Sequence, residues 1–174
     1  MTACLFGKPK QYSFTDRSAV VLSTLAKNLK LNAVNYTAAE LPSDTQDEKT
    51  SADDSHVTAV RTPVANLRFL DWVEASNDEI AEYDADLFLA ADVVFDPVII
   101  EPLVRVISVL LRKSSCYGII SCTIRNPETF ELFIKSLDSA DVHIETLDHT
   151  PSNIYFYDRI AEVRILRLTK SRVH

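Results

Sequence analysis

Residues 84–123, DADLFLAADVVFDPVIIEPLVRVISVLLRKSSCYGIISCT, constrain the fold more than any other stretch. An apolar run from Leu87 through Ala91 ends in a lone acid, Asp92. A second apolar run covers Tyr117 to Cys122. Short continuous apolar runs bounded by turn signals read as strands buried on both faces. Between them Ile100, Leu103, Val104, Ile107, Leu110 and Leu111 recur at helical spacing. Strand, helix, strand predicts a crossover unit in a parallel sheet, and such sheets place ligands at the carboxyl ends of their strands. Asp92 falls at such an end. Pro102 is the one awkward residue, since a proline inside the first turns removes a helical hydrogen bond.

The rest of the chain repeats that grammar. Residues 12–15, YSFT, read as a short strand ending in Asp16. Val21, Leu22, Leu25 and Leu29 mark a helix from about Arg17 to Leu31, with Asn32 as its stop. Asn66 to Leu70 is the next strand and runs into Asp71-Trp72. Residues 76–83 form a short helix capped by Ser76 or Asn77. Beyond the central unit, Asn126 is a good N-cap and Pro127 a good first helical residue. Phe130, Phe133, Ile134 and Leu137 then form one apolar stripe. Val142 to Leu147 and about Ala161 to Thr169 read as two final strands, with Tyr155-Phe156-Tyr157 in the loop between them. Alternating strands and helices predict an α/β class, with one of the last strands antiparallel.

At 174 residues the chain is read as a single domain, residues 1–174. Its net charge of −7 is concentrated: residues 40–54 hold six acids and one lysine. This stretch is read as an acidic flexible loop over residues 37–60, within the domain and not a linker. Elsewhere charge is near balance, so a broad basic face for nucleic acid is not expected. No apolar run reaches the ~20 residues of a membrane span, and MTACLFGKPKQ does not read as a secretory signal. The three cysteines, Cys4, Cys116 and Cys122, are odd in number and suit reduced thiols in a cytoplasmic protein. The four histidines never share zinc-like spacing with cysteine, so no metal site is expected.

Three strands thus end in an isolated acid: Asp16, Asp71 and Asp92. A carboxylate there can accept hydrogen bonds from ribose hydroxyls, and Trp72 beside Asp71 can cover an adenine face. Each has a simpler reading as well. Asp16 suits a helix cap, Trp72 suits core packing, and Asp92 with Asp96 and Pro97 suits a helix start. Glycine is scarce: only Gly7 and Gly118 occur, and neither belongs to a Gly-x-Gly loop.

Ala91-Asp92-Val93-Val94-Phe95, Leu70-Asp71-Trp72 and Ile124-Arg125-Asn126-Pro127-Glu128-Thr129 together resemble the seven-β-strand lysine methyltransferases of family 16. The likeness is strongest to the group that includes the elongation factor 2 lysine methyltransferase. It runs from about residue 2 to the end of the chain, the acidic loop excepted. The resemblance implies a Rossmann-like class I methyltransferase sheet with helices on both faces, and S-adenosylmethionine as cofactor. It implies transfer of a methyl group to a protein lysine, on elongation factor 2 or a similar protein, by a monomeric enzyme. In that frame Asp16 holds the ribose, Asp71 and Trp72 flank the adenine, and Ala91 and Asp92 lie near the methyl donor and the incoming lysine. Phe95 packs on the lysine stem. Two departures stand out. Phe95 occupies a position where the family usually has tyrosine, and the family's first strand and glycine-rich loop would lie upstream of residue 1. A partial domain of this kind is expected to leave a gap of two strand spacings, roughly 10 Å, in the sheet. It is expected to hold the cofactor weakly or not at all. The alternative reading is then a catalytically inactive remnant acting as a protein-binding module.

Overall fold

The computed structural model describes residue 7 and residues 9–38, 64–147 and 162–171. The chain divides into two compact units, Met1–Asp71 and Trp72–His174. The acidic stretch beyond Ala38 and the aromatic triplet 155–157 lie outside the described residues.

In the first unit, β1 (Gln11–Asp16), α1 (Ala19–Leu31), β2 (Tyr36–Ala38) and β3 (Val64–Phe69) follow in order. The strands make one sheet in the order β1-β3-β2, all parallel, with Gln11 opposite Val64 and Asp16 opposite Phe69. Helix α1 opens on Ser18, whose side chain accepts the Val21 N–H, and stops at Asn32. Leu29, Val34, Ala65 and Leu67 form the buried core, with Tyr12, Phe14, Leu25 and Tyr36 packed against it. The strand β2 corrects the sequence reading, which gave residues 37–60 to a loop and placed no strand directly before it. Tyr36 explains it: its ring packs on that core while the backbone of Tyr36–Ala38 pairs with Ala65–Leu67. Three residues carry too little periodicity to announce a strand.

The second unit contains α2 (Asn77–Ala81), β4 (Leu87–Ala91), a 3-10 turn (Pro97–Ile99), α3 (Ile100–Leu110), β5 (Tyr117–Thr123), α4 (Pro127–Ser139), β6 (Val142–Thr146) and β7 (Val163–Lys170). Its sheet runs β4-β5-β7-β6. Strands β4 and β5 are parallel, Leu87 opposite Tyr117 and Ala91 opposite Ser121, joined through α3 as the strand–helix–strand pattern requires. The strand β7 is antiparallel to both neighbours, Ile120 facing Leu166 and Ile144 facing Leu168. The mixed α/β class and the single antiparallel strand agree with the sequence reading.

Pro102 is accommodated where it does least harm. It lies in the first turn of α3, where backbone N–H groups have no intrahelical partner in any case. Its missing donor cannot reach back to Val98, and the segment just before is a 3-10 turn capped by the Asp96 carboxylate on the Val98 N–H at 2.9 Å.

Both α3 and α4 pack on one face of this sheet. Leu103 and Ile107 from α3, Leu111 just after it, and Phe133 and Leu137 from α4 meet Ile120, Cys122, Leu166 and Leu168. The expectation that β4 and β5 are buried on both faces fails. In β5 burial alternates, with Gly118, Ile120 and Cys122 inward, and Leu87 and Leu89 on β4 are 41% and 45% exposed. Among the described residues of this unit, helices cover only the Ile120 face, and β4 is an edge strand. A continuous apolar run does not by itself say how many faces are covered.

Candidate active site

Asp92 is the best-defined residue of the candidate site. Its N–H continues the β4–β5 ladder by donating to the Ser121 carbonyl at 2.9 Å. Its backbone then turns left-handed, at φ 54°, a region aspartate enters more readily than most side chains. That turn ends β4. One carboxylate oxygen, Oδ1, accepts the Thr123 N–H at 3.0 Å, and the other, Oδ2, lies 3.1 Å from Arg125 Nη2. Hydrogen bonding from Thr123, through its side chain and its N–H, and to a lesser degree the Arg125 charge, hold the carboxyl below the usual aspartate range. The residue is thus an ionised group at the carboxyl end of β4, tied to the exit of β5.

The residues after Asp92 divide by burial. Val93 and Val94 pack against the core of the second unit, whereas Phe95 is 60% exposed. Ala91 is exposed as the last residue of β4. Phe95 therefore presents an aromatic face to its surroundings from a short segment anchored on both sides, by Val93 and Val94 before it and by the Asp96 cap after it.

Trp72 belongs to the same unit. It is half-buried, its side chain packed against the core cluster that also takes Val93 and Val94. Its carbonyl accepts a 2.6 Å bond from Arg105 Nη2. The core-packing reading of Trp72 is therefore correct in part, and it leaves the rest of the ring accessible.

Asp16 and Asp71 lie in the first unit, at the carboxyl ends of adjacent parallel strands. Asp16 closes β1 and Asp71 follows β3 by two residues, and the Leu70 N–H donates to the Asp16 carbonyl at 3.1 Å. The Asp16 side chain is not itself the helix cap. Ser18 is, and Asp16 Oδ1 braces it by accepting the Ser18 N–H at 2.7 Å.

Sequence reasoning named Arg125 as part of a helix start without assigning it to Asp92, and missed Thr123 and Arg105. The signal for Arg105 was present. It is the only charged side chain between Pro102 and Leu111. A lone charge in an apolar helix needs partners.

Taken singly, an acid at a parallel strand's carboxyl end suits a ribose, and a partly exposed tryptophan suits an adenine. Gly118, one of the chain's two glycines, is not placed to cradle a methionine end: it sits inside β5 with the Phe88 ring across it. Among the described residues no cluster of histidine, cysteine, aspartate or glutamate is arranged to hold a metal ion, and no helix is long and apolar enough to cross a membrane.

The class these features define is a mixed α/β fold with acids at the carboxyl ends of its parallel strands. The chain belongs to the lysine methyltransferase family, whose profile matches residues 43–140. It is 28% identical over 176 residues to the bovine (Bos taurus) protein-lysine N-methyltransferase EEF2KMT, an alignment covering 97% of this chain and 49% of that protein. To the mouse (Mus musculus) EEF2KMT it is 30% identical over 169 residues, covering 95% and 46%. The chain thus spans about half the length of the curated relatives it matches. A solved precorrin-6y methyltransferase from Geobacter metallireducens aligns over 92% of this chain and 67% of its own, at 14% identity and a TM-score of 0.48.

Proposed function

We propose that this chain carries part of an S-adenosylmethionine-dependent protein-lysine N-methyltransferase acting in the cytoplasm on elongation factor 2 or a similar protein. Membership of the lysine methyltransferase family, with Asp92 at the carboxyl end of β4, is the observation that supports it. When bound, S-adenosylmethionine supplies an electrophilic sulfonium methyl group. The protein's task is then alignment, and holding reactants in register can lower such a barrier by about 7–11 kcal/mol.

Asp16 takes the ribose hydroxyls, and Asp71 and Trp72 receive the adenine. Ala91 and Asp92 border the reacting nitrogen, and Phe95 lies along the methylene stem of the lysine. A free lysine is protonated, with a pKa near ~10.4, and must lose that proton to become a nucleophile. Asp92 is poorly suited to take it, because Thr123 and Arg125 stabilise the ionised carboxylate. Its role in this reading is to orient the amine through a hydrogen bond, with the proton passing to solvent. The cofactor would supply its methyl group to that nitrogen at the expense of its carbon–sulfur bond, with S-adenosylhomocysteine as the leaving group.

The two glycines and the Gly118–Phe88 contact argue that this chain grips the cofactor chiefly by its adenosine half. Calorimetric titration with S-adenosylhomocysteine and methylthioadenosine tests the reading. Comparable, weak affinities for the two are expected, together with methyl transfer to elongation factor 2 by the full-length protein. Binding of neither ligand by the full-length protein up to millimolar concentration would overturn it and leave a protein-binding role.

A further inference from the structure

Arg105 occupies an unusual place in the second unit. Helix α3 buries Leu103, Val104, Val106 and Ile107 around it, and Arg105 is itself half-buried. Its guanidinium reaches off the helix to the turn that follows β3. Nη2 donates to the Trp72 carbonyl at 2.6 Å, and Nη1 donates to the Ala75 carbonyl at 2.7 Å and to Asn77 Oδ1 at 3.1 Å. The two carbonyls bracket the turn Trp72-Val73-Glu74-Ala75, one at each end. Asn77 is the first residue of α2, whose capping box on Ser76 and Glu79 fixes the next stretch of chain. One planar cation therefore sets the distance between the start of the turn and the start of the following helix.

This is work a guanidinium does and an ammonium does not. The fork presents donors at fixed separation in one plane, so both carbonyls are held at once, whereas a lysine offers a single charged point. Holding the backbone of Trp72 from behind also fixes where its indole can go, because the side chain is already packed on the core formed by α3 and α4. A binding surface made from one aromatic ring is only as well placed as the backbone carrying it.

We propose that Arg105 is a positioning residue for the adenine end of the cofactor site, acting through the Trp72 backbone without touching the ligand. The proposal rests on the reading that Trp72 meets the adenine. Its consequence is that affinity for adenosine-containing ligands depends on the shape of the Arg105 side chain and not only on its charge.

Trp72 is the sole tryptophan of the chain, so its fluorescence reports this turn and nothing else. The experiment compares wild type, Arg105→Lys and Arg105→Met, each checked for a cooperative melt. It records Trp72 emission, acrylamide quenching and titration with S-adenosylhomocysteine up to millimolar concentration. In Arg105→Met, Trp72 is expected to become more accessible to quencher, and the dissociation constant to rise about tenfold as charge-assisted bonds are lost. Arg105→Lys, which keeps the stem and the charge, is expected to fall between the two. It decides the matter if the methionine variant does not fold. Wild-type affinity in a folded Arg105 variant would overturn the positioning role while leaving the cofactor reading intact. A wild-type chain whose Trp72 signal and calorimetric heat ignore S-adenosylhomocysteine would overturn the cofactor reading, and the role of Arg105 with it.

Discussion

Arg125 Nη2 lies 3.1 Å from Asp92 Oδ2, joining the end of β4 to the segment that leaves β5. The cation therefore rests on the carboxylate that the proposed reaction assigns to the substrate's amine. Both side chains are solvent-accessible, at 64% and 45%, so the pair is worth at most about 1 kcal/mol. Arg125→Ala is accordingly expected to leave the melting temperature almost unchanged. If methyl transfer is measured with the full-length protein, the KM for the protein substrate should fall as competition for Asp92 is removed.

Asp92 itself is expected to separate stability from turnover. Its left-handed backbone is tolerated by asparagine but costs about 1–2 kcal/mol for alanine. Alanine also leaves the Thr123 N–H without its acceptor, a further loss of about 1 kcal/mol. Denaturant unfolding should therefore rank wild type and Asp92→Asn together, with Asp92→Ala clearly below. On the proposed reading, both variants of the full-length protein should lose turnover by roughly a hundredfold, since a misplaced amine is costly however stable the fold.

The pH dependence of stability follows from the same carboxyl. Because Thr123, and secondarily Arg125, lower its folded-state pKa, Asp92 binds protons less readily folded than unfolded. Its contribution is present above the ordinary unfolded carboxylate range and is lost as pH falls through the folded value. Urea midpoints taken from neutral pH down through that range should fall less steeply in Asp92→Asn than in wild type. The difference will be small, since the carboxylate is largely solvated.

Gly118 tests packing between β4 and β5. A Cβ added there would lie 2.1 Å from Phe88 Cζ and 2.2 Å from Cε2, on the directly paired residue. Gly118→Ala should destabilise by about 1–3 kcal/mol, as overpacking of a closed core does. A smaller residue at the partner position should relieve it. In a double-mutant cycle with Phe88→Leu, the coupling energy is expected to be favourable and at least about 0.5 kcal/mol; strict additivity would contradict the contact.

The thiols offer a check on the buried face of β5. Burial, with the Asp92 charge adding to it, pushes Cys122 up to about 11, and burial likewise raises Cys116. A group whose folded pKa is raised stabilises the fold below its unfolded pKa and loses that contribution as pH rises through the folded value. At about pH 8 both residues should resist iodoacetamide in the native chain and react once it is unfolded, as peptide mass spectrometry would reveal.

Much of this architecture was legible because local signals agreed. The Asn126-Pro127 pair starts α4 where expected, its side chain accepting the Glu128 and Thr129 N–H groups, and Ser76 with Glu79 closes a full capping box. What the sequence could not convey depended on long-range partners. Nothing local says that Arg125 reaches Asp92, that Arg105 reaches the Trp72 turn, or that Tyr36 adds a strand to β3. The burial of β4 was misread for the same reason, since an apolar run records a strand's composition and not the number of layers over it. The candidate site residues were named as acids after strands, a pattern that does not distinguish a ribose acceptor from a brace such as Asp16 on Ser18.

The placement of β7 has a consequence for how the chain is made. Its residues 163–170 lie between β5 and β6, although both of those strands emerge earlier during translation. Until Leu166 and Leu168 leave the ribosome, β5 and β6 have no common neighbour and the Ile120 face lacks two of its fully buried leucines. The second sheet is therefore closed by insertion and not by accretion at an edge. Nascent chains paused before β7 must keep the open edge of β5 and the unpaired β6 apart from other nascent chains, which makes the stretch preceding it the interval in which a holding chaperone matters most.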